Sequence, residues 1–268
     1  MEQKIVELLH SIEKEKNITI IFAVEVGSRA WELNTAESDY DVCFVFYRNL
    51  ENYISVNRAD EQMSFGFDKN FKPKKKDGVF IEMTGYDIFK YFKLLSSCNI
   101  TTVNWVNSNI IYLGDKTELK AYIENNINKS KLFVEYYCTA KGCYKAYTKG
   151  KEINFKKYLH VIRLILDAEY VLQYKKLPNT SMIKNLKELE KYIPNEVLEK
   201  INELIEIKKS GHGKDIVKEI PILDKYYKET FERYQGLEYE KKIKEEKIID
   251  IDFLNKYMQK LIISNDET

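Results

Sequence analysis

The sequence predicts an α+β chain: a small mixed β-sheet with flanking helices, followed by an all-helical domain. Two patterns carry this. Short apolar runs at 18–26, 42–47 and 79–84 alternate with helical stretches in the first half, and from Lys131 onward only the 3.6-residue period survives. The composition shifts near residues 115–130, which sets the expected domains at residues 1–125 and 126–268. A chain of 268 residues can build two modest cores.

In the first segment, Ile5, Leu8, Leu9 and Ile12 share one stripe, so residues 2–15 read as an amphipathic helix that Asn17 stops. Ile18 to Val26 follows as a β-rich run, broken by Gly27 and Ser28. A short turn or helix through Arg29, Ala30 and Trp31 leads to the polar stretch Asn34 to Ser38. Val42 to Tyr47 is nearly all apolar, as expected of a strand buried on both faces. Residues 57–78 are polar and rich in Lys, Asp and Phe, and predict an irregular excursion. Val79 to Thr84 reads as a third strand turned by Gly85, with Asp87 placed to cap a helix containing Ile88, Tyr91, Phe92, Leu94 and Leu95. A further helix is expected over Thr101 to Asn107. Beyond it, helices are expected at 131–148, 155–176, 181–191 and 195–209, punctuated by Pro178, Pro194 and the Ser210–Gly213 stretch, with more helix to about Ile263.

The net charge is +1, so no broad field attracts a polyanion, and one would have to be met locally. Two lysine-rich stretches stand out: Lys69 to Lys76 around Pro73, and Lys141 to Lys157 with six lysines against Glu152 alone. A solvated face explains such runs equally well. The cysteines, Cys43, Cys98, Cys138 and Cys143, form no CxxC pair and no zinc-spaced cluster with the three histidines, which reads as free thiols in a reducing compartment. The first residues show neither signal-peptide nor transit-peptide character, and no apolar run approaches the ~18 residues of a membrane span. A cytoplasmic protein is expected.

The chemistry concentrates in Gly27-Ser28-Arg29-Ala30-Trp31 and, eight residues on, Asp39-Tyr40-Asp41-Val42. A Gly-Ser pair at a strand end lets backbone and hydroxyl approach a triphosphate closely. Two carboxylates at i and i+2 of an extended segment point to the same side. There they can share hard divalent cations such as Mg²⁺ (two ions, with Mn²⁺ as an alternative), about 3.5–4 Å apart. Each half is weak alone; order, spacing and the apolar strand Cys43 to Phe46 together make the signal.

Gly27 to Val42 resembles the polymerase β-like nucleotidyltransferase superfamily, whose signature is Gly-Ser, a spacer, and two acids flanking one residue. More narrowly, GSRAW followed by LNTAESDYDV is similar to the predicted nucleotidyltransferases associated with RNA repair and RNA ligases, the YcgL-like family. Gly85-Tyr86-Asp87 with Lys90, Asn104-Trp105, Ser108 to Tyr112, and Lys156-Lys157-Tyr158 with Arg163 resemble later motifs of that family, so the likeness spans about residues 20–175. Glu32 stands where the family usually has Gly, Cys43 where Arg is common, Tyr86 for Trp, and Asn109 for Pro.

A third carboxylate is expected on a neighbouring strand, since two acids seldom satisfy two metals. Asp68, Asp77, Glu82 and Asp87 are candidates; Glu82 alone lies inside an apolar strand, and it falls where the family has its third acid. The alternative for Glu82 is a water-facing position on an edge strand, and Asp87 reads more simply as a helix cap. Arg29 either contacts the triphosphate or locks its loop against Glu25 or Glu32. The resemblance implies that Lys157 and Arg163 touch the triphosphate or an acceptor strand; a solvent lysine and a helix–helix ion pair are the plainer reading. Tyr158 and His160 read as packing before stacking or catalysis. The resemblance also implies that the helical domain closes the nucleotide cleft. The expected activity is template-independent transfer of a nucleoside monophosphate from an NTP to an acceptor hydroxyl, an RNA end being favoured. A protein or small-molecule acceptor, or a non-catalytic nucleotide- or RNA-binding module, are the rivals. Base preference and oligomeric state are not encoded legibly.

Overall fold

A computed structural model describes all residues except 58, 76, 150–152, 236–248 and 267–268, and the side chains of 264–266 as well. Lys76, Lys151 and Glu152 of the two lysine-rich stretches therefore lie outside the described residues. The chain divides into two compact units, one of residues 1–30, 39–126 and 248–268, the other of residues 31–38 and 127–247. The expected domains of residues 1–125 and 126–268 share the cut near 126. The units differ from them in two segments, 31–38 and 248–268.

The first unit is a five-stranded mixed sheet with helices. Helix α1 (Glu2–Lys16) buries Ile5, Leu9 and Ile12 and ends at Asn17, whose left-handed backbone (φ 49°) turns the chain into β1 (Thr19–Val26). A one-turn helix, α2 (Gly27–Ala30), separates β1 from β2 (Tyr40–Tyr47). After α3 (Leu50–Tyr53) come β3 (Gln62–Phe67) and β4 (Ile81–Asp87), then α4 (Ile88–Ser96), α5 (Ile100–Asn107), β5 (Ile111–Gly114) and α6 (Thr117–Asn126). Spatial order is β3-β4-β2-β1-β5, with β2 and β4 parallel and the other pairs antiparallel. Val42, Phe44 and Phe46 of β2 and Ile81 and Met83 of β4 pack with the buried stripe of α1. Tyr91 of α4 meets Phe22 of β1 edge-on at 5.7 Å and stacks with Trp105 of α5 at 5.8 Å.

Two expectations fail here. Residues 57–78 are not wholly irregular: they contain β3, in which Phe65 and Phe67 alternate with Ser64 and Gly66. Nor does Gly85 turn the third strand. It lies inside β4 opposite Phe44, whose ring would stand 2.3 Å from a Cβ at that position, and the strand runs on to Asp87. Asp87 caps α4 as expected, accepting from the Phe89 N–H at 3.0 Å.

The second unit is built on α7 (Lys129–Lys149) and α8 (Phe155–Tyr174), with α9 (Met182–Leu189), α10 (Asn195–Lys209) and α11 (Pro221–Gln235) around them. Helix α8 is buried nearly all round from Tyr158 to Val171. This unit is not purely helical, because two-residue strands β6 (Ile153–Asn154) and β7 (Ile216–Val217) pair antiparallel. The last helix, α12 (Ile251–Asp266), belongs to the first unit.

Candidate active site

Register places the acids. Asp41 of β2 and Glu82 of β4 are direct partners in a parallel pair, so their side chains leave the same face of the sheet on strands about 4.8 Å apart. Asp39 precedes β2 by one residue. All three line one open cleft of about 650 Å³, whose other walls include Ser64 and Gly66 of β3 and Lys74, Lys75 and Asp77 of the following arm. Asp39 and Glu82 are exposed, and Asp41 is half-buried.

Gly27 is needed where the Gly-Ser turn meets Asp41. Its φ is +68°, and a Cβ there would lie 2.0 Å from the Asp41 Oδ2. The turn is tied to the acid segment a second time by Arg29. Its Nε donates to the Asp39 carbonyl at 3.1 Å, and its guanidinium lies 3.7 Å from the centre of the Tyr40 ring. Arg29 thus braces the two halves of the motif against each other, and its charge also favours the ionised form of Glu25, as one of the two partners expected for it.

Behind Asp41 sits a group that sequence reasoning named only as a possible partner for Arg29. Glu25, on β1, is fully buried; its Oε1 accepts from the Asp41 N–H at 2.9 Å and its Oε2 from the Tyr112 hydroxyl at 2.6 Å. Burial pushes its carboxyl up to about 7, against the opposing pull of those two hydrogen bonds. The signal that picked out Glu82, an acid inside an apolar strand, applied equally to Glu25, and of the two it is Glu25 that is enclosed.

The donor set is one that suits a hard divalent cation: three carboxylates, all oxygen, open to one cleft. As the side chains stand they do not close into a cage, and among the described residues no group of three or more His, Cys, Asp or Glu is placed to hold a metal ion.

The remaining predicted residues lie in the second unit. Arg163 is buried in an ion pair with Asp167 at 2.7 Å, and its guanidinium lies 4.4 Å from the Trp31 ring centre. Its Nε has no hydrogen-bond partner. Lys157 is half-buried with its ammonium 5.5 Å from the Tyr147 ring centre. His160, one turn before Arg163, stacks on Trp31 at 6.1 Å and shares a 2.8 Å hydrogen bond with the Tyr147 hydroxyl. Burial, with Arg163 and Lys156 nearby, drives its pKa down to about 4, so it is neutral at neutral pH. Tyr158 is core: its hydroxyl donates to Asp224 at 3.1 Å and accepts from the Ile220 N–H at 3.0 Å. The structure thus gathers Gly27, Arg29, Asp39, Asp41 and Glu82 in one unit, and clusters Arg163 and His160 on Trp31 in the other. Glu32, which stands where the resembling family has Gly, adopts a φ of 62°, a left-handed backbone that Gly would meet without cost.

The chain is 26% identical over 250 residues to the uncharacterized protein YcgL of Bacillus subtilis (strain 168), a match covering 92% of this chain and 91% of that one. It is also similar to a crystal structure of a nucleotidyltransferase-like protein from Exiguobacterium sibiricum 255-15, at 14% identity and a TM-score of 0.30, over 77% of this chain and 73% of that one. A family model matches residues 1–260, nearly the whole length, and by that match the chain belongs to RlaP, the RNA repair pathway DNA polymerase beta family of nucleotidyltransferases.

Proposed function

We propose that this protein transfers a nucleoside monophosphate from an NTP to an acceptor hydroxyl without a template, an RNA end being the favoured acceptor. The observation that carries the reading is the parallel register of Asp41 with Glu82, in one cleft with Asp39 and with Gly27 packed against Asp41. Asp39, Asp41 and Glu82, which line one cleft with Asp41 and Glu82 paired in register, would hold two Mg²⁺ ions. When bound, divalent cations supply electrostatic stabilisation of the charge that builds on the α-phosphate and acidify the attacking hydroxyl.

The chain's own part is positioning. Ser28, on the turn that abuts Asp41, holds the outgoing phosphates. Arg29 keeps that turn and Asp39 in fixed relation through the Asp39 carbonyl. Glu82 receives the hydroxyl proton as the acceptor oxygen bonds to the α-phosphorus and the α–β bridging bond breaks, releasing pyrophosphate. Within the second unit, the burial of Arg163 supports a role for it in packing Trp31.

Incubation with each labelled NTP, with and without single-stranded RNA, tests the proposal. Mg²⁺-dependent label on RNA, lost by several orders of magnitude in Asp41→Ala and Glu82→Gln, is the expected result. Label on the protein itself, insensitive to RNA, would point to a protein acceptor. Nucleotide binding that ignores Mg²⁺, with no transfer to any acceptor, would overturn the enzymatic reading.

A further inference from the structure

A glycine of β3, a tight turn and a second glycine in the arm that follows are all organised around one lysine. Asp68 closes the turn, accepting from the Asn70 N–H at 2.8 Å and the Lys72 N–H at 3.0 Å. The chain then doubles back so that the Lys74 N–H donates to the Gly66 carbonyl at 2.8 Å. A Cβ on Gly66 would lie 2.3 Å from the Lys74 carbonyl oxygen, and one on Gly78 (φ +79°) would lie 2.7 Å from the Lys74 ammonium. The Lys74 backbone therefore rests where only glycine leaves room, and its ammonium lies beside the left-handed turn at Gly78. Lys74 and Lys75 are exposed, line the cleft of Asp39, Asp41 and Glu82, and make no ion pair with a carboxylate among the described residues.

Sheet order then separates two anion-binding flanks. Gly27 and Ser28 follow β1, beside Asp41 on β2; Lys74 is held against β3, beside Glu82 on β4. A triphosphate seated at the Gly-Ser turn leaves the opposite flank for the other reactant, on the side of the acid assigned to its hydroxyl. We propose that Lys74 and Lys75 bind the terminal phosphodiesters of a single-stranded RNA acceptor and thereby set its end hydroxyl against Glu82. This rests on the transfer reading above and adds the location and strandedness of the acceptor.

The same two lysines also form a wall of a second cleft, of about 380 Å³, with Leu8, Phe65 and Phe71. Glu15 lines the same cleft and pairs with Lys16 at 2.8 Å. Lys16 lies 5.9 Å from the Phe65 ring centre, and Lys4, paired with Glu7 at 2.9 Å, lies 5.4 Å from that of Phe71. The cations of this wall in no ion pair among the described residues are therefore Lys74 and Lys75. Phe71 holds a left-handed backbone (φ 59°), strained for an aromatic residue, and stays half-exposed. Aromatic faces interleaved with ammonium groups suit unstacked bases and their backbone, the pattern of sequence-tolerant single-strand binding. With a whole-chain charge of only +1, such a local patch is what a polyanion needs.

The test uses the full chain carrying Asp41→Asn, so that binding is read without turnover. Fluorescence anisotropy with a labelled single-stranded oligoribonucleotide should show at least a tenfold weaker Kd for Lys74→Glu/Lys75→Glu. The slope of log K against log salt should flatten by about 1.4, from two lost phosphate contacts at ~0.7 each. Phe71→Leu keeps an apolar side chain but removes the ring, and should weaken binding about 5- to 150-fold, a base stacked on an aromatic face being worth roughly 1–3 kcal/mol. Circular dichroism melts establish that each variant is folded. Three results would overturn the assignment: RNA affinity unchanged in the double variant, loss of RNA binding only in Lys141→Glu/Lys145→Glu, or a weakened Mg²⁺–NTP thermal shift with RNA binding intact, which would place the triphosphate at these lysines. In each case transfer by the otherwise unaltered protein shows separately whether the reading of the reaction stands.

Discussion

Burial penalises a carboxylate's charge, and Glu25 meets that penalty inside β1. Its pKa of about 7 in the folded state, against an ordinary 4.5, is set first by desolvation, with the Tyr112 hydroxyl and the Asp41 N–H opposing it. Between those two values the folded chain holds a proton that the unfolded chain has released. Stability from this group is therefore whole below about pH 4.5, falls as pH rises, and levels off above about 7, a loss on the order of 3 kcal/mol. Glu25→Gln, neutral throughout, should flatten that slope and exceed the parent in stability at pH 8; urea denaturation at pH 5, 6.5 and 8 in metal-free buffer measures it. An unchanged slope in the variant would mean that another group titrates. Gly27→Ala makes the opposite kind of change. Its Cβ would occupy the position of the Asp41 carboxylate, at a φ of +68°. Stability should fall by about 1 kcal/mol or somewhat more, while a displacement of Asp41 near 1 Å should cost about 10²-fold in transfer rate. A rate loss no larger than the loss of folded protein would show that Gly27 serves the fold alone. The Asp-x-Asp pair was legible in the sequence because its two acids are near neighbours on one strand. Glu25 was not, because its partners are 16 and 87 residues away and only pairing of β1 with β2 and β5 brings them together.

Among the elements, β1 and β2 were legible because both faces are covered, leaving continuous apolar runs that no helix pattern explains. Strand β3 was harder to read: it is an edge strand, only Phe67 of it is fully buried, and Ser64 and Gly66 face the cleft, so its alternation was diluted by the polar arm around it. Four residues with no buried position make β5, too short for a periodic signal. Helix α8 was legible, but what its charges do was not. The wheel shows that Arg163 and Asp167 are one turn apart; it does not show that both are sealed in, with Asn185 donating to Asp167 at 3.0 Å. Burial raises the Asp167 pKa to about 6, with Arg163 and Asn185 holding it down. Arg163→Met leaves that carboxyl without its cation and should cost roughly 3–5 kcal/mol at neutral pH, while Arg163→Met/Asp167→Leu, which removes both charges, should recover most of it. Chemical denaturation of the two variants measures this. A single variant that keeps its stability and loses NTP affinity would instead make Arg163 a nucleotide contact.

At the scale of the molecule, sequence patterning predicted a cut near residue 126 and contained nothing that returns the chain's end to the sheet-bearing unit. Helical periodicity reports which face of α12 is apolar, and says nothing about which core takes it. In the structure that core is the first unit's: Phe253 stacks on Tyr122 at 3.6 Å, Tyr257 meets Phe92 at 5.9 Å, and Ile249, Leu254 and Ile262 are buried. The Asp250 N–H adds a 3.2 Å hydrogen bond to the Tyr122 hydroxyl. No described helix is long and apolar enough to cross a membrane. Each fully buried aliphatic side chain contributes about 1.5–3 kcal/mol relative to exposure, so losing Ile249, Leu254 and Ile262, before the half-buried Phe253 and Tyr257 are added, already reaches the lower part of the ~5–15 kcal/mol by which whole domains are stable. Truncation after residue 247 should therefore destabilise the unit that carries Asp39, Asp41 and Glu82, although it removes none of them. The expected result is a lowered or lost cooperative melt of that unit, with near-native melting of the helical unit, followed by site-specific hydrogen exchange at β2 and β4. If β2 and β4 stay protected in the truncated chain, α12 is an appendage, and the core closed by α1, α4 and α5 is sufficient without it.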